Sequence, residues 1–217
     1  MNLPHNKYFD KRNNCPICEN KSFKSIIKIP FLKKQVHDFL YEYYYNKIPN
    51  EIIKNTDYSV VKCLNCTSLF QEYILNDKQM FNLYENWISK SDSIDKKNKA
   101  NISMFTRYVN DLEKITKYFN KKPHEISILE YGMGWGFWSR IAQSLNFNIT
   151  GFEISDSRLD FVSRNNIRTI SDIKKLKKNK FDFIYSFAVF EHIAYPKKTL
   201  QLLSSLLNDG GLVYIYV

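Results

Sequence analysis

The four cysteines of the chain fall in two Cys-x-x-Cys pairs, Cys15–Cys18 and Cys63–Cys66. Two such pairs can place four thiolates tetrahedrally around Zn²⁺. The interval between the pairs is longer than in common zinc ribbons, and an insertion carrying the aromatic stretch 39–45 would explain that length. We therefore predict a structural Zn²⁺ site formed by Cys15, Cys18, Cys63 and Cys66, with no open position for catalysis. Unligated thiols, and redox or cluster chemistry, are the alternatives.

A glycine-rich loop, Gly132-Met133-Gly134-Trp135-Gly136, is the second stretch that could do chemistry. An apolar run leads into it and a helical pattern follows it. Glycine lets a ligand approach the backbone closely, and the amino end of a helix offers free N–H groups to that ligand. Glu153 lies about 20 positions after Gly132, at the end of the next predicted strand. There a carboxylate can accept hydrogen bonds from both ribose hydroxyls of an adenosine-type cofactor.

The spacing of the glycines argues against a dinucleotide. The dinucleotide fingerprint has its third glycine three residues after the second, and that position is Phe137 in this chain. A bulky side chain there would obstruct close packing over a pyrophosphate. The third glycine is instead Gly136.

The elements that must position this loop alternate between strand and helix. A helical pattern with an apolar stripe covers 102–119, and several of the later strand candidates are continuous apolar runs, as in a parallel sheet that is covered on both faces. The predicted strands are 126–131, 148–153, 167–170, 181–186 and 212–217, and the predicted helices between them are 136–145, 156–165 and 196–207. The fold class is therefore α/β, with a Rossmann-like doubly wound sheet.

The composition divides the chain into two parts. All six glycines lie between Gly132 and Gly211, and all four cysteines lie before Thr67. We predict a small zinc-ribbon-like module with a helical extension at 1–88, a polar linker at 89–101 and the α/β domain at 102–217.

The second part resembles a known family. The stretch Glu130-Tyr131-Gly132-Met133-Gly134-Trp135-Gly136 resembles motif I of class I S-adenosylmethionine-dependent methyltransferases. The run 181–186 resembles the fourth strand of that family, 187–193 its common "vlEHi" segment, and 207–212 its turn into the fifth strand. These four motifs occur in the family's order, and the resemblance covers most of 102–217.

The resemblance implies S-adenosyl-L-methionine as cofactor and a role for six residues. Gly132, Gly134 and Gly136 would line its methionine part, and Glu130 would orient its amino end. Glu153 would hold the ribose, and Asp172 would lie near the adenine amino group.

Glu191 and His192 follow the fourth strand, at the edge of the sheet that faces the ligand. Methyl transfer to a carbon next to a carbonyl needs a base, and a histidine with an ordinary pKa of about 6.5 is suitable. In the sugar C-methyltransferases that this chain resembles, the same pair lies at the acceptor site. Packing or capping by His192 is the equally weighted alternative.

The first part resembles the N-terminal zinc module that is fused to some bacterial methyltransferases, among them sugar C-methyltransferases of deoxysugar pathways. The residues that carry the resemblance are Cys15-Pro16-Ile17-Cys18, the run 58–66 and Leu83-Tyr84. Glu19 and Thr67 stand where that module usually has glycine. The resemblance implies methylation of a small molecule or nucleotide-linked sugar in polysaccharide, deoxysugar or secondary-metabolite biosynthesis.

Two other functions stay open. The formal net charge of +10 and the zinc module would fit a nucleic-acid or protein methyltransferase. The Asn/Asp-Pro-Pro-Tyr loop of base N-methyltransferases is absent after Ser186, which argues against methylation of a base amino group. A cofactor-fold subunit without catalysis is the third reading, and the glycines and Glu153 disfavour it.

The ends of the chain carry the remaining expectations. No apolar run is long enough to span a membrane, and 1–11 lacks a secretory signal, so we expect a cytoplasmic protein without a membrane partner. Class I methyltransferases usually have seven strands, whereas the fifth strand here, 212–217, ends the chain. We therefore expect a truncated domain, with impaired turnover and with self-association through this apolar strand. An artificial chain boundary and pairing of this strand with another chain are the alternatives.

Overall fold

The computed structural model describes residues 6–99 and 101–217. The chain forms two compact units. The first contains the chain up to Lys90 together with Ala194–Lys197, and the second contains Ser91–Ile193 and Lys198–Val217. Within the described residues, no helix combines the length and the apolar character that crossing a bilayer requires.

The first unit is built from short strands and helices. Its elements are β1 (Phe9–Lys11), β2 (Phe23–Pro30), α1 (Lys34–Tyr43), α2 (Asn50–Ile53), β3 (Asp57–Cys63), β4 (Leu69–Gln71), β5 (Tyr73–Leu75) and α3 (Asp77–Asn82), followed by a π-helical turn at Leu83–Trp87. Strands β2, β3 and β4 form an antiparallel sheet in that order, and β1 pairs with β5. The aromatic stretch 39–45, predicted as helix or extended insertion, lies largely in α1.

The second unit contains a single parallel sheet. Its elements are α5 (Ile102–Phe119), β6 (Ser127–Tyr131), α6 (Phe137–Ser144), β7 (Asn148–Phe152), α7 (Asp156–Ser163), β8 (Arg168–Ile170), α8 (Ile173–Leu176), β9 (Phe181–Phe187), α9 (Pro196–Ser205) and β10 (Leu207–Tyr216). The strand order is β10-β9-β6-β7-β8, and every pairing is parallel. The predicted Rossmann-like doubly wound fold is confirmed.

The sheet is covered on both faces because successive residues of its strands point to opposite sides. Ile128 belongs to the core beneath α5 and α6, whereas its neighbour Leu129 belongs to the core on the other face. Helix α5 buries Tyr108, Leu112 and Ile115, as its apolar stripe predicted.

The segment 89–101, predicted as a linker, contains helix α4 (Lys90–Asn98). The first turn of α5 is capped by Asn101, whose side chain accepts a hydrogen bond from the N–H of Met104. The composition of the segment is polar, but Ser93 of helix α4 accepts a hydrogen bond from the indole N–H of Trp135, a tertiary contact that composition does not predict.

Strand β10 begins at Leu207 rather than at Leu212, where we had predicted it to begin. Its pairing with β9 is irregular between these two residues, so the predicted turn is part of the strand. Gly210 lies within that irregular stretch with a φ of 73°. Among the described residues, β10 pairs only with β9, and Tyr214 on it is half exposed. Self-association through this strand stays a prediction.

The topology decides where a ligand can bind. The chain continues from β6 through β7 to β8 on one side, and then returns to place β9 on the other side of β6. In open parallel sheets, ligands bind outside the carboxyl ends of the strands at such a reversal. The residues after β6 and after β9 therefore form the candidate site.

Candidate functional site

The loop after β6 contains three glycines with left-handed backbones. The φ angles of Gly132, Gly134 and Gly136 are 76°, 56° and 66°. A Cβ added to Gly132 would lie 2.5 Å from a methyl group of Val189, so the loop after β9 packs directly on this glycine. A Cβ on Gly134 would meet nothing within 4 Å. Gly132 is thus required for packing, whereas Gly134 exposes the loop backbone to open space.

Glu153 lies directly after β7 and is buried, with 5% of its surface exposed. Its carboxylate accepts a hydrogen bond from the N–H of Gly134 at 2.9 Å. It also accepts hydrogen bonds from the N–H groups of Ile154 at 2.8 Å and Ser155 at 3.0 Å. The structure therefore brings Glu153, the residue predicted to bind the ribose, into contact with the predicted glycine loop.

Arg158 is a charged neighbour of Glu153 that the sequence analysis did not identify. Its Nη1 lies 3.8 Å from the Glu153 carboxylate, and its guanidinium lies 5.8 Å from the centre of the Trp135 ring. The indole N–H of Trp135 donates to the hydroxyl of Ser93 at 2.9 Å. These contacts fix the glycine loop against α7 and α4. Arg158 lies five residues after Glu153, but its type alone gave no reason to choose it over other surface arginines.

Glu130 is buried, with 6% exposed, and lies in β6 just before the loop. Its carboxylate accepts a hydrogen bond from the N–H of Ser139 at 3.0 Å and another from the Ser139 hydroxyl. Ser139 lies in the first turn of α6, where free N–H groups and the helix dipole favour an anion. Glu130 thus holds the helix against the sheet, and its role toward a cofactor stays a prediction.

Asp172 lies after β8 and caps α8. It is exposed, and its side chain accepts a hydrogen bond from the N–H of Lys174 at 2.7 Å. Its predicted contact with adenine stays a prediction.

Glu191 and His192 lie in a 3₁₀ turn at Phe190–His192, which follows β9. His192 Nε2 lies 4.0 Å from a carboxylate oxygen of Glu191, and 57% of the histidine side chain is exposed. The chain reaches this turn through Ala188, which has a left-handed φ of 53°. The pair therefore stands at the carboxyl end of the sheet with an accessible imidazole, as a base would require.

The four cysteines come together in the first unit. Their sulfur atoms all lie within 4.8 Å of one another, and the Cys15–Cys66 and Cys18–Cys63 sulfurs are each 3.5 Å apart. A disulfide would need about 2.05 Å, and all four are free thiols. The backbone N–H of Asn20 is the main cause that lowers the pKa of Cys18 to about 6. Backbone hydrogen bonds, led by that of Cys66, lower the pKa of Cys63, but burial and the thiols of Cys18 and Cys66 outweigh them and raise it to about 11. The thiolate, the form that binds metal, is therefore favoured at Cys18.

Glu19 and Thr67 follow the second cysteine of each pair, and both have left-handed backbones, with φ of 62° and 61°. The N–H of Glu19 donates to the carbonyl of Cys15 at 3.0 Å, and that of Thr67 donates to the carbonyl of Cys63 at 3.2 Å. The two Cys-x-x-Cys segments, each of which forms a knuckle, thus have the same turn.

A family model described as a methyltransferase domain matches residues 103–217. The chain belongs to the methyltransferase domain family. The match begins within α5 and ends with the sheet, so the glycine loop, Glu153 and His192 all lie in the methyltransferase domain.

Two curated relatives match part of this domain, and both are named ubiquinone biosynthesis O-methyltransferase. The protein of Rickettsia akari is 24% identical over 112 residues, which cover 48% of this chain and 45% of the relative. The protein of Colwellia psychrerythraea is 26% identical over 101 residues, which cover 42% of this chain and 41% of the relative. The chain thus spans less than half the length of each.

Solved methyltransferase structures also resemble the chain. The plantazolicin methyltransferase BpumL, in complex with a pentazolic desmethylPZN analog and SAH, is 24% identical with a TM-score of 0.47. The similarity covers 65% of this chain and 54% of BpumL.

Proposed function

We propose that the second unit is an S-adenosylmethionine-dependent methyltransferase that acts on a small molecule. The observation that carries the proposal is the contact between Gly134 and Glu153 at the topological reversal of the sheet. It combines a backbone open to a ligand with a buried carboxylate 2.9 Å away. Membership of the methyltransferase domain family supports the reaction class.

The residues present fit this cofactor. Gly134 leaves space for the methionine part against the loop, since a side chain there would fill it. The buried Glu153 carboxylate has about four acceptor positions, and three N–H groups use three of them, so it can still accept from a ribose hydroxyl. When bound, the cofactor would supply an electrophilic methyl group on a sulfonium.

The residues of the chain then have to position an acceptor and remove its proton. We assign the base to His192, because its imidazole is exposed at the carboxyl edge of the sheet and its neighbour Glu191 can stabilise the imidazolium. A phenol, an alcohol or a carbon acid next to a carbonyl could each lose a proton to such a base. Positioning supplies much of the remaining acceleration, because methyl transfer requires an in-line approach.

The acceptor is proposed as a small molecule or nucleotide-linked sugar. The names of the two curated relatives support a small-molecule acceptor. The resemblance of the first unit to a module found in sugar C-methyltransferases supports a sugar.

We further propose that Cys15, Cys18, Cys63 and Cys66 hold one structural Zn²⁺. Tetrahedral Zn²⁺ with Zn–S bonds of about 2.3 Å places its sulfurs about 3.8 Å apart. The sulfur pairs at 3.5 Å, and the limit of 4.8 Å for the set, fit that size. With four protein ligands, the ion would stabilise the unit and would take no part in methyl transfer.

Replacement of Glu153 tests the cofactor proposal. We expect Glu153→Ala to weaken S-adenosylhomocysteine binding about 10- to 100-fold in calorimetry, the usual cost of lost charge-assisted hydrogen bonds. Asp160→Ala is the matched control, because it removes an exposed carboxylate from the neighbouring helix. Equal affinity of Glu153→Ala and the wild type would contradict the assignment.

A further inference from the structure

Four residues from far along the chain, Ala194–Lys197, belong to the first unit. They begin two residues after His192, the last residue of the 3₁₀ turn that carries the candidate base. The N–H of His192 donates to the carbonyl of Val189 at 2.9 Å, and that of Ile193 donates to the carbonyl of Phe190 at 3.3 Å. These bonds are local. They close the turn, but the contacts of Ala194–Lys197 decide where the chain leads as it leaves the turn.

Arg12 holds this segment at its first residue. Its Nη2 donates to the carbonyl of Ala194 at 2.7 Å. Its Nη1 donates to the carbonyl of Gln71 at 3.3 Å, and its backbone N–H donates to the carbonyl of Glu72 at 2.8 Å. Arg12 is thus fixed on the connection between β4 and β5, and its guanidinium joins that connection to Ala194.

The surroundings of Arg12 give it few other hydrogen-bond partners. Burial lowers the pKa of Arg12, and electrostatic interactions with Tyr195 and Cys15 act against this. Its Nε is buried and has no hydrogen-bond partner among the residues that the structure describes. A guanidinium that has lost part of its hydration depends on the acceptors that remain, and a charged donor strengthens each of these bonds. The bond to Ala194 is therefore costly to break.

Glu19 holds the last residue of the segment. Its carboxylate lies 2.7 Å from Nζ of Lys197. Both side chains are partly exposed, so this ion pair is weaker than the bond of Arg12. The backbone of Glu19 is left-handed, with a φ of 62°, a conformation that glycine adopts without strain. Strain at one residue points to a function of its side chain, and glycine could not make this contact.

We propose that Arg12 is a positioning residue for His192, and that Glu19 assists it. The inference rests on the proposed function, in which His192 is the base. With 57% of its side chain exposed, His192 has few contacts of its own, so its position follows the backbone of the turn. Arg12 fixes that backbone two residues further along. The unit that contains the cysteines thereby helps to place the base without a catalytic metal.

The histidine ring signals in NMR spectra of the full, reduced chain test this placement without an acceptor. Replacement of each histidine by glutamine assigns its signal. His37 in α1 and His124 before β6 are the internal references. We expect Arg12→Gln to shift or broaden the signal of His192 and to leave those of His37 and His124 unchanged.

Two further variants of this strand end calibrate the result. Arg12→Lys keeps a charged donor for the Ala194 carbonyl without the fork, so it should restore the wild-type signal of His192 in part. Lys11→Gln is the matched control, because it removes a neighbouring charge that pairs with Glu72 at 3.3 Å. It should leave all three histidine signals unchanged.

Glu19→Gly separates positioning from stability, and it keeps the test available if Arg12→Gln does not fold. We expect this variant to raise the midpoint of chemical denaturation, because it relieves the left-handed backbone. It should nevertheless change the signal of His192 as Arg12→Gln does, by a smaller amount. A residue that only stabilised the fold would move both readouts in the same direction.

The proposal is overturned if the signal of His192 is unchanged in Arg12→Gln and in Glu19→Gly. It is also overturned if the signals of His37, His124 and His192 all change alike, since Arg12 would then support the fold in general. Calorimetry with S-adenosylhomocysteine judges the proposed function separately. A wild type that does not bind this nucleoside would refute the proposed function, whatever the histidine signals show.

Discussion

Thr67 and Glu19 show how a single residue can be held in an unfavourable conformation by the fold around it. A β-branched residue with a positive φ is an outlier, because its Cβ approaches the following carbonyl. Each of these two residues closes a cysteine knuckle through a hydrogen bond from its N–H group. These hydrogen bonds therefore hold the turn of each cysteine pair, although the backbone at Glu19 and Thr67 is strained.

Replacement of Thr67 by glycine should stabilise the first unit. Thr67 is exposed and has a φ of 61°, so Thr67→Gly relieves strain of about 1 kcal/mol and removes little packing. Chemical denaturation of the zinc-loaded chain measures the free energy of unfolding. Ile17→Gly is the control, because Ile17 is exposed in the other knuckle without a positive φ and its replacement should destabilise. A loss of stability in Thr67→Gly would show that the turn is not strained.

At the scale of elements, the cysteine cluster lies in a small hydrophobic core that is separate from the core around Ile52, Ile53 and Trp87. Cys15 and Cys63 are buried together with Val61 and Phe70 between the short strands of the first unit. Sheets of this size bury little apolar surface, and small modules usually need a metal or disulfide to be stable.

We expect the freshly purified, reduced chain to contain about one zinc per molecule, because four thiolates form a closed tetrahedral site. Elemental analysis measures the metal, and a strong chelator should lower the thermal unfolding midpoint. Cys18→Ser should lose the metal, whereas Ser22→Ala should keep it. Metal-free protein that unfolds at the same temperature would contradict a structural zinc site.

The side chain of Asp182 connects strand β9 with the neighbouring strands β6 and β10. This carboxylate accepts hydrogen bonds from the N–H and the hydroxyl of Ser127 at 2.8 and 2.9 Å, and from Asn208 and Lys121 at 3.1 and 3.3 Å. Burial by itself raises the pKa of Asp182, but these donors, led by the Ser127 N–H, outweigh burial and lower it.

A carboxylate with a lowered pKa stabilises the fold above its unfolded pKa, and that contribution is lost as the pH falls through the folded value. We therefore expect Asp182→Asn to destabilise the chain by about 1–3 kcal/mol near neutral pH. The difference from wild type should shrink below about pH 4, the ordinary range of aspartate. Urea denaturation across this range measures it, with Asp160→Asn as an exposed control. A difference that does not depend on pH would contradict the role of the charge.

At the scale of the whole molecule, the excess of 32 basic over 22 acidic residues raises the question of a polymeric partner. Much of the excess is lysine on exposed turns such as Lys177 and Lys178. Exposed lysines attract polyanions without specificity, and that attraction weakens steeply with salt.

We accordingly expect binding of double-stranded DNA at low salt to disappear at about 150 mM salt, near physiological ionic strength. The affinity for S-adenosylhomocysteine should change much less, since that ligand would contact buried groups such as Glu153. Fluorescence anisotropy and calorimetry over a salt series measure the two affinities. Tight DNA binding that persists at physiological salt would favour a methyltransferase that acts on a polymer.

The sequence by itself determined the order of the strands and of helices α5, α6, α7 and α9 in the second unit, because apolar runs and helical stripes are local patterns, whereas the short helix α8 was not predicted. Helix α5 has the predicted bounds of 102–119, and the glycine loop, Glu153 and the four cysteines were identified from type and spacing. The bounds of β10 were missed, because irregular pairing with β9 extends the strand to Leu207.

The tertiary structure decided which side chains meet across the sheet. Val189 on Gly132, Arg158 over the Trp135 ring, and Arg107 over Phe187 each join residues from different elements. No local spacing relates such residues, since strand order and pairing register set their distance. The sequence therefore identified the residues able to bind a cofactor, and the parallel sheet decided which charged and apolar neighbours surround them.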